Sequence, residues 1–306
     1  LLVSATLYIV QREAMLPATF TLLGLLLWLH GRTRLLRGQV VSGGLWMLAG
    51  LGGCTLLGVL SKANGVLLPA LALVIEYTIP CACAPPLRAS EAVRSLYRRT
   101  MLLLAWLPTS LVAGYLLDKG WQGLVHGISA TRPWTLGQRL LTEPRVLMDY
   151  LGLLWLPRPF TPGLFNDHIQ ASTSLLTPAS TLPAILAVLG LIIGAWLLRK
   201  RWPAVALAVL FYFVGQSLES SSIPLELYFE HRNYLPAMLM FWPLALCLCG
   251  VRARALRPAG RSKPGGTEAV ATSPAATGSA GPAHQPGNDS ASAPSLPDPG
   301  LRHGHI

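Results

Sequence analysis

The stretch Gln216–Pro236, QSLESSSIPLELYFEHRNYLP, holds the densest set of groups able to do chemistry in this sequence. Glu226 and Glu230 stand four positions apart, on one face of a helix, where two carboxylates repel unless a basic group sits between them. His231 and Arg232 follow directly and are the candidates for that group. Carboxylates of this kind can take a proton, and the cations can hold an anion. Tyr234-Leu235-Pro236 and a new apolar segment come next, so the cluster sits at the mouth of that segment. Charge is costly there unless it serves a purpose.

The elements that must position this cluster are apolar. Stretches near 14–30, 41–60, 65–79, 99–117, 181–198, 202–218 and 234–250 approach the ~20 residues a helix needs to cross a bilayer. The connections between them alternate in charge. One set carries Arg32, Arg34 and Arg37; Arg88, Arg94, Arg98 and Arg99; Arg199, Lys200 and Arg201; and Arg252, Arg254 and Arg257. Cytoplasmic loops collect Lys and Arg, so these four connections are expected in the cytoplasm. The segment before residue 14, the Ser61–Lys62 turn, the 118–180 loop and the 219–233 stretch are then outside. The expected fold class is an all-α polytopic membrane protein with about seven transmembrane helices within residues 1–257 and an interfacial amphipathic helix in the long outer loop.

Composition agrees with that class. Apolar residues make up 52% of the 306, charged residues only 12%, and mean hydropathy is +0.48, too apolar for a soluble chain of this length. The net charge of +11 would suggest nucleic acid in a soluble protein. Here 13 of the 24 basic residues fall in the four cytoplasmic connections, so orientation and anionic headgroups account for them and no nucleic acid is expected as partner. The middle of every span lacks ionisable groups, which argues against an ion-coupled transporter. Cys54, Cys81, Cys83, Cys247 and Cys249 lie in spans or at their cytoplasmic ends and make no disulfide framework. The two C-x-C pairs have no accompanying third ligand, so no metal site is expected.

Within the 118–180 loop, Thr142-Glu143-Pro144 reads as a helix start, with Pro where its missing N–H costs nothing. Val146, Leu147, Tyr150, Leu151, Leu154 and Trp155 then recur at helical spacing. This predicts an amphipathic helix over 144–156 at the interface, with Tyr150 and Trp155 as belt residues and Arg145 turned toward a lipid phosphate. Residues 258–306 are dominated by Pro, Gly, Ala and Ser and are expected to form a disordered cytoplasmic tail.

Three pieces carry a family resemblance: Leu7-Tyr8-Ile9-Val10-Gln11-Arg12 leading into a span, Ser61-Lys62-Ala63-Asn64 opening a short one, and Glu219 through Glu230-His231-Arg232-Asn233-Tyr234-Leu235-Pro236, whose most specific part is the run from Glu230. In this order the chain resembles bacterial membrane glycosyltransferases of the GT-C type, related to the transmembrane and tetratricopeptide-repeat O-mannosyltransferases, over about residues 1–250. The resemblance implies transfer of a sugar from a polyprenyl-phosphate donor to a protein or glycan acceptor on the outer face of a bacterial inner membrane. Its chemistry needs cations to hold the leaving phosphate, for which Arg12, Lys62, Arg145 and Arg232 are the candidates with His231 assisting. It also needs a base for the acceptor hydroxyl, for which Glu226 and Glu230 stand. A loosely held divalent cation bridging phosphate and carboxylates stays open as a cofactor. The partners expected are membrane lipids, the lipid-linked sugar and the acceptor.

The chain departs from the family in two places. Ala63 replaces the usual acid of a Ser-Lys-Glu motif, and no tetratricopeptide pattern follows the last span. The family's usual base comes from a first outer loop, expected upstream of Leu1, which makes this chain an expected fragment. Two rival readings follow: an O-antigen polymerase or ligase type of glycan enzyme, and a non-catalytic membrane scaffold or truncated pseudo-enzyme.

Overall fold

A computed structural model of the protein describes residues 13–79, 90–126, 133–156, 169–223 and 225–255. Among them no strand occurs. Helix α1, Met15–Leu36, is followed by α2, which runs from Val40–Met47 through a π turn, Leu48–Gly53, into Cys54–Ser61. Helix α3 begins as a 3-10 turn, Ala63–Leu67, and continues as Leu68–Thr78. Helix α4 likewise crosses a π turn, from Glu91–Met101 through Leu102–Trp106 to Leu107–His126. Then come α5, Leu136–Trp155, α6, Thr181–Leu198, and α7, Pro203–Gln216. Two 3-10 turns, Glu230–Asn233 and Pro236–Leu239, lead into α8, Trp242–Ala255.

Three of these stretches, Val40–Ser61, Glu91–Val125 and Thr181–Leu198, are long and apolar enough to cross a bilayer. Ala63–Thr78, Pro203–Gln216 and Pro236–Gly250 are apolar and shorter. The three long stretches expose Leu45, Leu56, Leu60, Leu103, Leu111, Leu117, Leu186 and Leu197, a belt that water would penalise and hydrocarbon solvates.

Lipid tails are as apolar as leucine, so close packing and polar links between helices must hold such an assembly together. One core joins α1, α2, α3 and α7 around Trp28, Leu51, Leu68, Leu71 and Phe211; Trp28 also donates from Nε1 to the sulfur of Met101 at 3.3 Å. A second core joins α5, α6 and α7 around Val146, Tyr150, Val188, Tyr212 and Phe213. The α2–α3 turn depends on backbone approach: a Cβ placed on Gly65 would sit 2.1 Å from the carbonyl carbon of Gly58.

Several sequence expectations need correction. Helix α5 starts at Leu136, not at Thr142, because Thr135 and Gln138 form a reciprocal capping box there. Pro144 lies inside the helix, and Tyr150 is completely buried, so it is no belt residue. Helix α4 extends to His126, which makes Asp118 and Lys119 helical rather than the opening of a loop. Glu226 is not helical, and only Glu230 opens a short 3-10 turn, so the two do not share a helix face. Of the expected fold class, the all-helical part is borne out, and among the described residues three helices have spanning length where about seven were expected. Residues 258–306 lie outside the described residues.

The polar groups collect at two ends of α3. Glu13, just before α1, pairs with Lys62 at the start of α3, while Arg32, near the end of α1, pairs with Glu76 near the end of α3. Asn64 and Glu76 are separated by about 20 Å of helix.

Candidate functional site

Glu219 is the centre of the first end. It lies in the turn after α7, is 5% exposed, and receives a 2.7 Å hydrogen bond from Asn64 Nδ2. Arg232 Nε stands 3.3 Å from its other oxygen, and Lys62 Nζ 3.7 Å from the first. Lys62 also reaches Glu13 at 3.4 Å. These contacts follow from local geometry. Lys62 is the one extended residue between α2 and α3, and the Gly58–Gly65 approach holds that turn tight enough to present Lys62 and Asn64 together. Arg232 sits in the 3-10 turn Glu230–Asn233, which is fastened from α7: Asn233 Oδ1 accepts from Tyr212 Oη at 3.1 Å and from Gln216 Nε2 at 2.9 Å. Tyr150 of α5 both donates to the Phe229 carbonyl and accepts from its N–H.

A second buried pair lies behind it. Arg139 and Glu143, one helical turn apart on α5, are 0% and 2% exposed with 2.8 Å between Nη2 and Oε1. The guanidinium also donates to the carbonyls of Glu219, Ser221, Leu225 and Glu226. It therefore organises the 219–226 segment as much as it neutralises a carboxylate. Burial raises the Glu143 carboxyl above its usual range, opposed by the charges of Arg139 and Arg232.

Buried at this end without a hydrogen-bond partner among the described residues are Arg232 Nη1 and His231 Nδ1, together with Gln216 Oε1, Ser220 Oγ and, apart from the ion pair with Arg139, the Glu143 carboxylate oxygens. The His231 ring lies against Phe229 with 5.1 Å between centroids. Burial holds His231 below the usual histidine range, the neighbouring charges of Lys62 and Arg232 push the same way, and Glu219 and Glu13 oppose them. The imidazole is thus neutral near pH 7, able to accept a proton but reluctant to keep one.

Of the residues expected from sequence, Lys62 and Arg232 come together on Glu219, and His231 precedes Arg232 in the same 3-10 turn with its ring against Phe229. Glu226 meets the group through its backbone, its carbonyl accepting from Arg232 Nη2 at 2.6 Å. Glu230 stands apart, its carboxyl raised by burial and further by Asp149. Arg145 is tied elsewhere, donating to the Gln170 carbonyl at 3.0 Å and to Ser172 Oγ at 3.1 Å. Arg12 lies outside the described residues, as do Cys81 and Cys83. Sequence reasoning missed Glu219 as the hub, Asn64 as its donor and the Arg139–Glu143 pair. The signal for Asn64 was its place in the Ser61-Lys62-Ala63-Asn64 piece, two residues after Lys62.

Beside this end, an apolar cavity of about 370 Å³ opens between α5, α6, α7 and α8, with Leu151, Trp155, Leu191, Phe213 and Met240 in its wall. Tyr212 is common to both: its ring lines the cavity and its hydroxyl bonds Asn233. Among the described residues no group of three His, Cys, Asp or Glu converges as a metal site would require. No protein-family model, curated protein or solved structure matches the chain.

Proposed function

We propose that this is an integral-membrane, GT-C-like glycosyltransferase that moves a sugar from a polyprenyl-phosphate donor to a protein or glycan hydroxyl on the outer face of a bacterial inner membrane. The observation that carries this reading is the meeting of Lys62 and Arg232 on Glu219, with His231 preceding Arg232 in the same turn, at the end of the bundle away from the basic connections, next to an apolar cavity. Lys62 and Arg232 would hold the leaving phosphate, with the free Nη1 of Arg232 as the donor kept for it. The acceptor oxygen bonds to the anomeric carbon as the carbon–oxygen bond to phosphate breaks. The hydroxyl proton passes to His231, whose buried neutral ring suits a general base. Glu219 is a weaker candidate for that task, since three donors already occupy it. The isoprenoid tail would lie in the apolar cavity.

One observation favours a non-catalytic scaffold instead. The cations Lys62, Arg139 and Arg232 are matched by the carboxylates Glu13, Glu143 and Glu219, so the charges balance without a ligand. On the enzymatic reading the donor phosphate displaces Glu13, which is 59% exposed, from Lys62. Radiolabelled transfer from polyprenyl-phosphate sugars in proteoliposomes separates the two. An enzyme shows transfer that Arg232→Lys lowers about a hundredfold, the scale of losing a transition-state donor. Folded wild-type protein inert toward every donor tried leaves the scaffold.

A further inference from the structure

The other end of α3 carries a separate site. A cavity of about 400 Å³ lies between α3 and α4, with Glu76 and Tyr77 on one side and Tyr97, Arg98, Arg99, Leu102 and Trp106 on the other. Its one carboxylate is already matched. Arg32, buried at 2% exposure, places Nε 3.2 Å from Glu76 and 3.0 Å from the Tyr97 hydroxyl, with its guanidinium over the Tyr97 ring. Arg98 and Arg99 therefore leave the cavity positive, and among the described residues Arg98 is engaged only by a 4.0 Å contact to the exposed Glu91. An anion fits that wall.

The remaining wall says what the anion is attached to. Leu102 and Trp106 follow Arg99 along the same continuous helix, about 5 and 10 Å further into its apolar part. Leu102 is 58% exposed, and Tyr77 and Trp106, each 44% exposed, meet edge to face at 6.1 Å. Tyr77 also neighbours Trp196 of α6, over which the Arg199 guanidinium lies at 3.9 Å. Aromatic rings with cations at one level are how a helix bundle marks the membrane–water interface. A ligand filling this site has a charged head at Arg98 and Arg99 and an apolar body along Leu102, Trp106 and Tyr77.

We propose that this cavity binds the phosphodiester headgroup of an anionic phospholipid, between Arg98 and Arg99, with its acyl chains on the Leu102–Trp106 face. The proposal requires only that the bundle lies in a membrane; it is independent of the glycosyltransferase reading. The test is thermal unfolding of full-length protein in nanodiscs of phosphatidylcholine alone or with phosphatidylglycerol, and in detergent with inorganic phosphate. Wild type is expected to gain several degrees from phosphatidylglycerol and nothing from inorganic phosphate. Arg98→Ala/Arg99→Ala should lose that gain, whereas Lys200→Ala/Arg201→Ala, which removes the same charge from the α6–α7 connection, should keep it. An equal gain with inorganic phosphate would mean a free-phosphate site and overturn the proposal. So would an equal gain in the Arg98/Arg99 variant, which would reduce the effect to non-specific charge, or no gain in any lipid. If the double variant does not fold, Arg98→Gln/Arg99→Gln with retained helicity gives the same readout.

Discussion

Asn64 Nδ2 donates to Glu219 Oε1 across 2.7 Å, although 155 residues separate the two in the chain. That bond closes the α2–α3 turn onto the segment after α7 and fixes where Lys62 and Arg232 stand. Glu219→Gln leaves the Arg232 guanidinium, 2% exposed, facing a neutral amide. Breaking a buried pair from one side costs about 3–5 kcal/mol, while losing the Asn64 bond to the charged carboxylate by Asn64→Ala should cost about 1.5–3 kcal/mol. Thermal unfolding of the single variants and the double variant measures both, and the double should be less destabilised than the sum because the two share one carboxylate. Strict additivity would show that they act independently.

Arg139 and Glu143 test whether a buried pair serves as charge balance or as backbone organiser. In an ordinary buried pair, replacing both partners by apolar residues restores or raises stability. Here Arg139 also serves the carbonyls of Glu219, Ser221, Leu225 and Glu226, which would keep no donor from residue 139. Arg139→Met/Glu143→Leu is therefore expected to remain destabilised by about 2 kcal/mol, since an orphaned buried carbonyl such as that of Glu219 costs about 1–3 kcal/mol and the three part-buried ones add less. Recovery of wild-type stability in that double variant would reduce Arg139 to a counter-ion.

These two clusters show how far the sequence reached. Hydrophobic runs near 20 residues announced the helices, because the bilayer sets element length and composition follows from it. Lys62, His231 and Arg232 stood out because charge beside an apolar segment is conspicuous. Glu219 was legible as the opening of the run that continues to Pro236 but not as the hub, since its partners come from segments as distant as Asn64, and a single carboxylate among serines carries no periodicity. The α5 start was missed for a different reason. Pro144 looked like a first-turn residue, but the Thr135–Gln138 box had already begun the helix and the proline is tolerated within it. Likewise Glu226 and Glu230 were spaced for a helix, yet the carbonyl of Glu226 accepts from Arg139 and Arg232, and the intervening backbone stays irregular.

Gly65→Ala should be the most damaging conservative change near the site. Its Cβ would lie 2.1 Å from the carbonyl carbon and 2.5 Å from the Cα of Gly58, and these are backbone atoms that cannot rotate away. The helices must separate, moving Lys62 and Asn64 from Glu219. A loss of about 1–3 kcal/mol or more is expected from overpacking. Gly53→Ala on α2, the helix that carries Gly58, meets nothing within 4 Å and is the control. Unfolding temperatures that are equal for the two variants would mean that the close approach does not hold the turn.

Acid should loosen this end of the molecule through His231. Burial and the Lys62 charge hold the folded imidazole below its ordinary range, while the unfolded chain titrates near pH 6.5. As pH falls below that value, the unfolded state takes up a proton that the folded state refuses, so stability declines until the folded pKa is also passed. Above pH 6.5 both states are neutral at this position and it contributes no pH dependence. One proton limits the slope to about 1.4 kcal/mol per pH unit. His231→Gln keeps a polar side chain and removes the proton, so its unfolding temperature should fall less than that of wild type between pH 7 and pH 5. If wild type loses no more than the variant over that interval, the imidazole is not held neutral, and His231 loses its claim to act as a base.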